Sequence, residues 1–215
     1  MTVIVLTASS PDPSVVTSSE AFDREGTAIL IRNADLAQLN DNKDDCNTSY
    51  DLRVGQIFRD HRRRYGQELG QSDQIHLLPG NAVIIETEEW VEFPKWRCGQ
   101  ILPKVTLLQE GIANTPSKVD PGYRGNLLIT TFNHGKRMVT LSRGQRFCLL
   151  HVFDVVGPVR LYDKPPKRIG GVPRSASWRQ QFHDWIDANG ATVDFIQTAA
   201  IVGSLVVAVL ALAHK

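Results

Sequence analysis

The chain has 215 residues, enough for one ordinary domain with additions, and its 24 Lys and Arg nearly balance 23 Asp and Glu. A formal net charge of +1 gives no global attraction for nucleic acid, which excludes a duplex DNA or RNA binder of the usual basic kind. Cys46, Cys98 and Cys148 are far apart, with no CxxC or Cys/His ligand spacing, and predict reduced thiols rather than a disulfide framework or a zinc site.

Residues 1–20 are rich in Ser, Thr and Pro and predict a loosely ordered start; MTVIVLTASSPDP lacks the basic flank and long apolar run of a signal peptide. A barrel domain is expected over residues 21–162. It opens with a short helix and a strand (TAILI) between Ala21 and Asp45, then the polar loop NDNKDDCNTS. Strand-like segments follow between turn signals: SYDLRVGQIF, QIHLLPG, NAVIIETEEWVEFP, GQILPKVTLL, GNLLITTFN, KRMVTLSRG, QRFCLLHVFDV and GPVRLY. Their β-branched and aromatic content predicts an antiparallel all-β domain, a distorted jelly-roll barrel, with FNHGKRMVTL as a hairpin. Local basic patches stand out at HRRR (His61 to Arg64) and at Lys164, Lys167, Arg168 and Arg174.

Residues 163–190 read as a Pro/Gly linker and a short amphipathic helix in SASWRQQFHDWIDANG, with Trp178, Phe182, Trp185 and Ile186 on one face. That face fits packing on the barrel or lying in a headgroup layer. Residues 191–215 carry an uncharged apolar run from Phe195 to Ala213, the length that spans a bilayer as one helix. Lys and Arg in excess before it place the barrel on the cytoplasmic side of a single-pass tail, with membrane lipid as a partner. Small residues at fourfold spacing, such as Ala199 and Gly203, suit close helix approach.

The candidate chemistry lies in the barrel. NTPSKVDPGYRG sets Asp120, Tyr123 and Arg124 among turn residues; taken alone, Asp120 before Pro-Gly is a common turn residue and Tyr123 can simply pack the rim. Asp51 in SYDLRVG can equally pair with Arg53, and Arg146 can be a solvated strand residue or an interface partner. His76, His134 and His151 show no ligand spacing.

Taken together, SYDLRVG, NTPSKVDPGYRG and RGQRFCLLHVF resemble three motifs of the dUTPase and dCTP deaminase superfamily, in order and spacing. The resemblance implies a trimer or similar homo-oligomer that binds a nucleotide with Mg²⁺. Asp51 would organise the metal-triphosphate site through water, and Asp120 would act as the base on the attacking water if the chain is a dUTPase. Tyr123 would lie under the deoxyribose, and Arg146 would stand in the fourth motif. KRIGGVPRS faintly resembles the family's phosphate-closing tail, which adds Arg168 and Ser175. The phosphate-gripping second motif falls on Lys104-Val105-Thr106, where Lys104 keeps the charge but loses an arginine's fork and Thr106 keeps a donor. Thr130 stands where a deaminase needs a glutamate, and Leu149 where a glutamine is common. These departures, with the apolar tail, imply a catalytically degenerate nucleotide sensor or membrane effector, one version being a bacterial antiphage protein. The alternative is a membrane-anchored dUTP pyrophosphatase, with dCTP deaminase a weaker variant because threonine cannot shuttle the proton.

Overall fold

Period-two alternation shapes the strands. In a computed structural model, which describes residues 2–8, 12–39 and 47–170, the elements run in this order. They are β1 (Val15–Val16), β2 (Ile29–Arg32), a 3₁₀ turn (Leu36–Gln38), β3 (Ser49–Asp60), β4 (Gln67–Glu68), β5 (Gln74–Leu77) and β6 (Ala82–Glu92). After these come β7 (Arg97–Pro103), α1 (Val105–Gln109), β8 (Ile112–Asn114), β9 (Ser117–Val119), β10 (Arg124–Asn133), β11 (Val139–Ser142) and β12 (Arg146–Asp154). All the described residues except 62–64 belong to one compact unit. The expected all-β class is observed among them, with every strand pair antiparallel apart from β1 and β2.

Two sheets share β3. Its first half, through Arg53, pairs with β12, which pairs with β7, which pairs with β9. Its second half crosses to β6, pairing Val54 with Thr87 and Phe58 with Ile85. The register breaks between those pairs, at Gly55, where a Cβ would sit 2.5 Å from the Glu86 carbonyl oxygen. Only glycine lets the strand turn the corner this close to its neighbour. β6 is the hub of the second sheet, with β10 along one edge and β3 then β2 along the other. Inward residues from both sheets, among them Tyr50, Leu52, Ile85, Ile129, Phe147 and Leu150, form one core.

Four expectations change. The segment before residue 20, expected to be loose, puts Leu6 and Val15 in the core, and Val3 bridges to Phe153 on β12. GQILPKVTLL is not one strand: β7 stops at Pro103, and α1 turns back so that Leu107 is buried while Val105 and Leu108 face outward. Proline cannot donate to a ladder, which ends the strand there. FNHGKRMVTL is not a hairpin, since β11 pairs with β5. The buried Asn133 amide donates to the Leu77 and Arg137 carbonyls and its oxygen accepts from Gly135 N–H, which steers the chain away from β10. GPVRLY forms no ladder; its one main-chain tie is Tyr162 N–H to the Pro121 carbonyl at 2.7 Å.

Among the described residues no helix is long and apolar enough to cross a membrane. The helix expected in SASWRQQFHDWIDANG, residues 175–190, and the span expected over 195–213 lie outside the described residues.

Candidate functional site

The expected site residues fall into two groups at opposite ends of β7. The first is ionic. Asp51 faces Leu149 across the β3–β12 ladder, and its carboxylate accepts from Lys104 Nζ at 2.5 Å, with Arg146 3.8 Å away. Lys104 is the residue before α1, where the end of β7 delivers its side chain to Asp51 rather than to the helix cap. Arg146 opens β12 and donates to Asp35 at 2.6 Å. The bland alternative for Asp51, a pair with Arg53, is not what forms, because Arg53 binds Glu89 at 2.6 Å. Thr106 is exposed in the first turn of α1 and forms no hydrogen bond to this cluster among the described residues.

Three residues that sequence reasoning passed over hold the cluster. Asp35 caps the 3₁₀ turn through Ala37 N–H and also binds the Gln38 amide. Gln38 is buried and clamps the Asp51 backbone from both sides, donating to its carbonyl at 3.2 Å and accepting from its N–H at 2.7 Å. Glu89, fully buried, accepts from Arg53 N–H, Arg53 Nε and Tyr50 Oη. Tyr50 Oη in turn accepts the Asp35 N–H at 2.6 Å, which joins the buried carboxylate to the surface cluster. Burial pushes the Glu89 carboxyl up, opposed by its bonds to Arg53, and the Arg146 guanidinium holds Asp35 below its ordinary value. The signals were legible in outline. ETEEWVE puts Glu89 in register with the inward Val83, Ile85 and Val91, and Asp35 stands at a cap position before LAQ.

The second group is less charged. Asp120 begins a Pro-Gly turn closed by Tyr123 N–H to its carbonyl at 3.1 Å, with Gly122 at φ +80°, as a type II turn demands. Its carboxylate meets Lys118 Nζ at 2.8 Å, and Lys118 is 80% exposed. An open depression of about 600 Å³ surrounds it, walled by Cys98, Pro116, Val119, Pro121, Val155 and Val159. Burial pushes the Cys98 thiol up, and the Asp120 charge adds to that; Cys98 and Cys148 are both free thiols. Tyr123 is half-buried, donates to the Asn126 carbonyl at 2.7 Å and tilts against Tyr162 with 5.4 Å between ring centres. Its phenol is pushed up to about 12 by burial, with Tyr162 and Glu86 adding.

Val119 pairs with Gly99, so Asp120 falls beside Cys98; from there to Lys104 the strand runs about 20 Å at ~3.3 Å per residue. One chain does not bring the two groups together. Arg168 joins neither: it is exposed and its charge acts on Glu86. Ser175 lies outside the described residues. No group of three or more His, Cys, Asp or Glu converges among the described residues, so the chain forms no complete metal cage there. Asp51 and Asp35 both reach Arg146, and a Mg²⁺ that keeps waters and takes phosphate oxygens needs only one or two such carboxylates.

A family profile described as dCTP deaminase-like matches residues 17–155, and the chain belongs to that family. It is 31% identical over 116 residues to a probable deoxyuridine 5'-triphosphate nucleotidohydrolase of Methanothermobacter thermautotrophicus, covering 50% of this chain and 77% of that protein. It is 32% identical over 87 residues to a dCTP deaminase of Pyrobaculum calidifontis, covering 40% of this chain and 49% of the deaminase. The fold also aligns with a 2'-deoxycytidine 5'-triphosphate deaminase from Agrobacterium tumefaciens at a TM-score of 0.47 and 17% identity, over 57% of this chain and 43% of that one.

Proposed function

We propose that the protein binds a deoxynucleoside triphosphate, with phosphates at the Asp51–Lys104–Arg146 cluster and the nucleoside at the Asp120–Tyr123 end of a second copy. The carrying observation is the separation of the two groups along β7, which makes a single chain half a site at each end. A homo-oligomer completes the site. Mg²⁺ bound with the nucleotide would supply charge neutralisation for the phosphates, and Asp51 and Asp35 are the carboxylates to hold it. Lys104 and Arg146 orient the phosphate chain, and Tyr123 offers a ring face to the sugar.

One observation favours hydrolysis of dUTP over pure sensing. Asp120 lines an open depression, and among the described residues its carboxylate pairs with the exposed Lys118, so a water can stand beside a positioned carboxylate there. Deamination finds no such support, since the half-buried Thr130 offers no titratable group and its carbonyl is taken by Thr115. The test is incubation of the full chain with dUTP or dCTP and Mg²⁺. The expected result is dUMP and pyrophosphate from dUTP, slowed about 10²-fold or more in Asp120→Asn with binding retained. Tight binding without turnover would leave the sensor reading, and deaminated dCTP would overturn the role given to Thr130. The apolar run over 195–213 supports attachment to a bilayer, a single-pass anchor with the barrel in the cytoplasm. Recovery of the chain in the soluble fraction of a lysate would count against that attachment, and against the membrane-effector form of the sensor reading.

A further inference from the structure

The ionic cluster has a property that bears on phosphate binding whatever the chemistry. Its two cations, Lys104 and Arg146, are matched by two carboxylates, Asp51 and Asp35. A cluster that sums to zero offers a polyanion no net Coulombic attraction. The shorter of Arg146's two ion pairs, 2.6 Å, is to Asp35, against 3.8 Å to Asp51. Asp35 lies outside all the motifs that bear on the nucleotide, on the turn before β3, and is the carboxylate already seated on Arg146. The Arg146 side chain is 45% exposed, so an incoming anion can reach it without unfolding anything.

Resting on the nucleotide-binding reading above, we propose that Asp35 is an internal counter-anion that occupies Arg146 and must be displaced by the phosphate, so that it sets the affinity of the site. One of its oxygens occupies the guanidinium N–H that a phosphate oxygen would take. The displaced Asp35 is left facing Asp51 and the phosphates, an arrangement that a divalent cation relieves. Phosphate uptake is therefore weak without such a cation and strengthens with it. The turn itself survives displacement, because the Asp35 N–H stays on Tyr50 Oη and Gln38 still clamps the Asp51 backbone.

Asp35→Asn tests this: asparagine keeps the cap to Ala37 N–H and removes the charge, together with the oxygen that accepts from Gln38 Nε2 and Arg146. Titration calorimetry of the full chain with α,β-imido-dUTP, in EDTA and in excess Mg²⁺, is the measurement. The variant is expected to bind about fivefold tighter than wild type in EDTA, the worth of an exposed ion pair (~1 kcal/mol), with a smaller gain in Mg²⁺ and a steeper weakening by salt. Equal or weaker binding by Asp35→Asn in EDTA, at an unchanged melting temperature, overturns the proposal and makes Asp35 an orienting residue instead. If the melting temperature falls, Asp35→Ser, which also caps, is used for the same comparison. Arg146→Gln separates the two readings. Binding that it abolishes but Asp35→Asn leaves alone defeats the counter-anion alone, whereas no binding by wild type, Asp35→Asn or Asp35→Ser defeats the nucleotide site as well.

Discussion

At the Lys104 end of β7 each charged side chain has an opposite charge within 4 Å, and the backbone beneath is clamped by Gln38 and tied inward to Glu89. At the Cys98 end the Lys118–Asp120 pair lies on the surface, Arg97 pairs with Asp154 beside it, and the wall sets Gln100 and Ser117 among valine and proline side chains. The first end holds its charges on a clamped backbone, and the second sets its pocket carboxylate against a lysine that is itself at the surface. The contrast teaches that the two ends divide the labour of a nucleotide site by dielectric setting. A phosphate grip needs fixed cations, while a base needs a position but not a strong partner.

The largest blow to that contrast comes from inside the barrel. Glu89→Ala strands Arg53 and Tyr50 without their acceptor and is expected to cost about 3 kcal/mol in urea unfolding, loosening the ionic end while sparing the Asp120 turn. If the loss were below about 1 kcal/mol, the buried carboxylate would not be what anchors the cluster.

Next in size is Tyr123→Phe, which removes the bond to the Asn126 carbonyl and is expected to cost about 1 kcal/mol at neutral pH. It also carries a signature in alkali. The native phenol near 12 lies above the ordinary value of 10.0, so the folded state holds this proton more tightly. The stability it contributes is complete below pH 10 and drains as pH rises toward 12. Wild type is expected to lose stability more steeply across that window than Tyr123→Phe, and phenolate absorbance to show Tyr123 titrating late. The smallest effect is expected of Lys118→Ala, which leaves the melting temperature unchanged because the lysine is fully at the surface. A measurable drop would mean that Asp120 is held as firmly as Asp51 and would erase the difference between the ends.

Much of this was visible in the sequence, for reasons that can be named. Alternation in AVIIETEEWVE and RGNLLITTFN reports burial directly, so the long strands and the all-β class follow from it. The Pro-Gly turn at Asp120 is likewise local chemistry. Missed features depend on contacts between distant residues. β7 and α1 share an apolar run, and Pro103 alone marks the break. β11 leaves its neighbour β10 because of bonds that Asn133 makes to Leu77 and Arg137, and a hairpin pattern cannot report them. Asp35 reaches Arg146 across 111 positions, so its place in the site is invisible until the chain is folded.

The bridge from Val3 to Phe153, with Ile4 N–H donating to the Val152 carbonyl, has a consequence in time rather than in space. It closes a loop of about 150 residues, whose chain entropy must be surrendered before those bonds reward it. During synthesis at roughly 5–20 residues per second, Ile4 waits on the order of ten seconds for β12 to emerge. Val3 and Ile4 are thus sealed onto the barrel only after nearly all of it has been made.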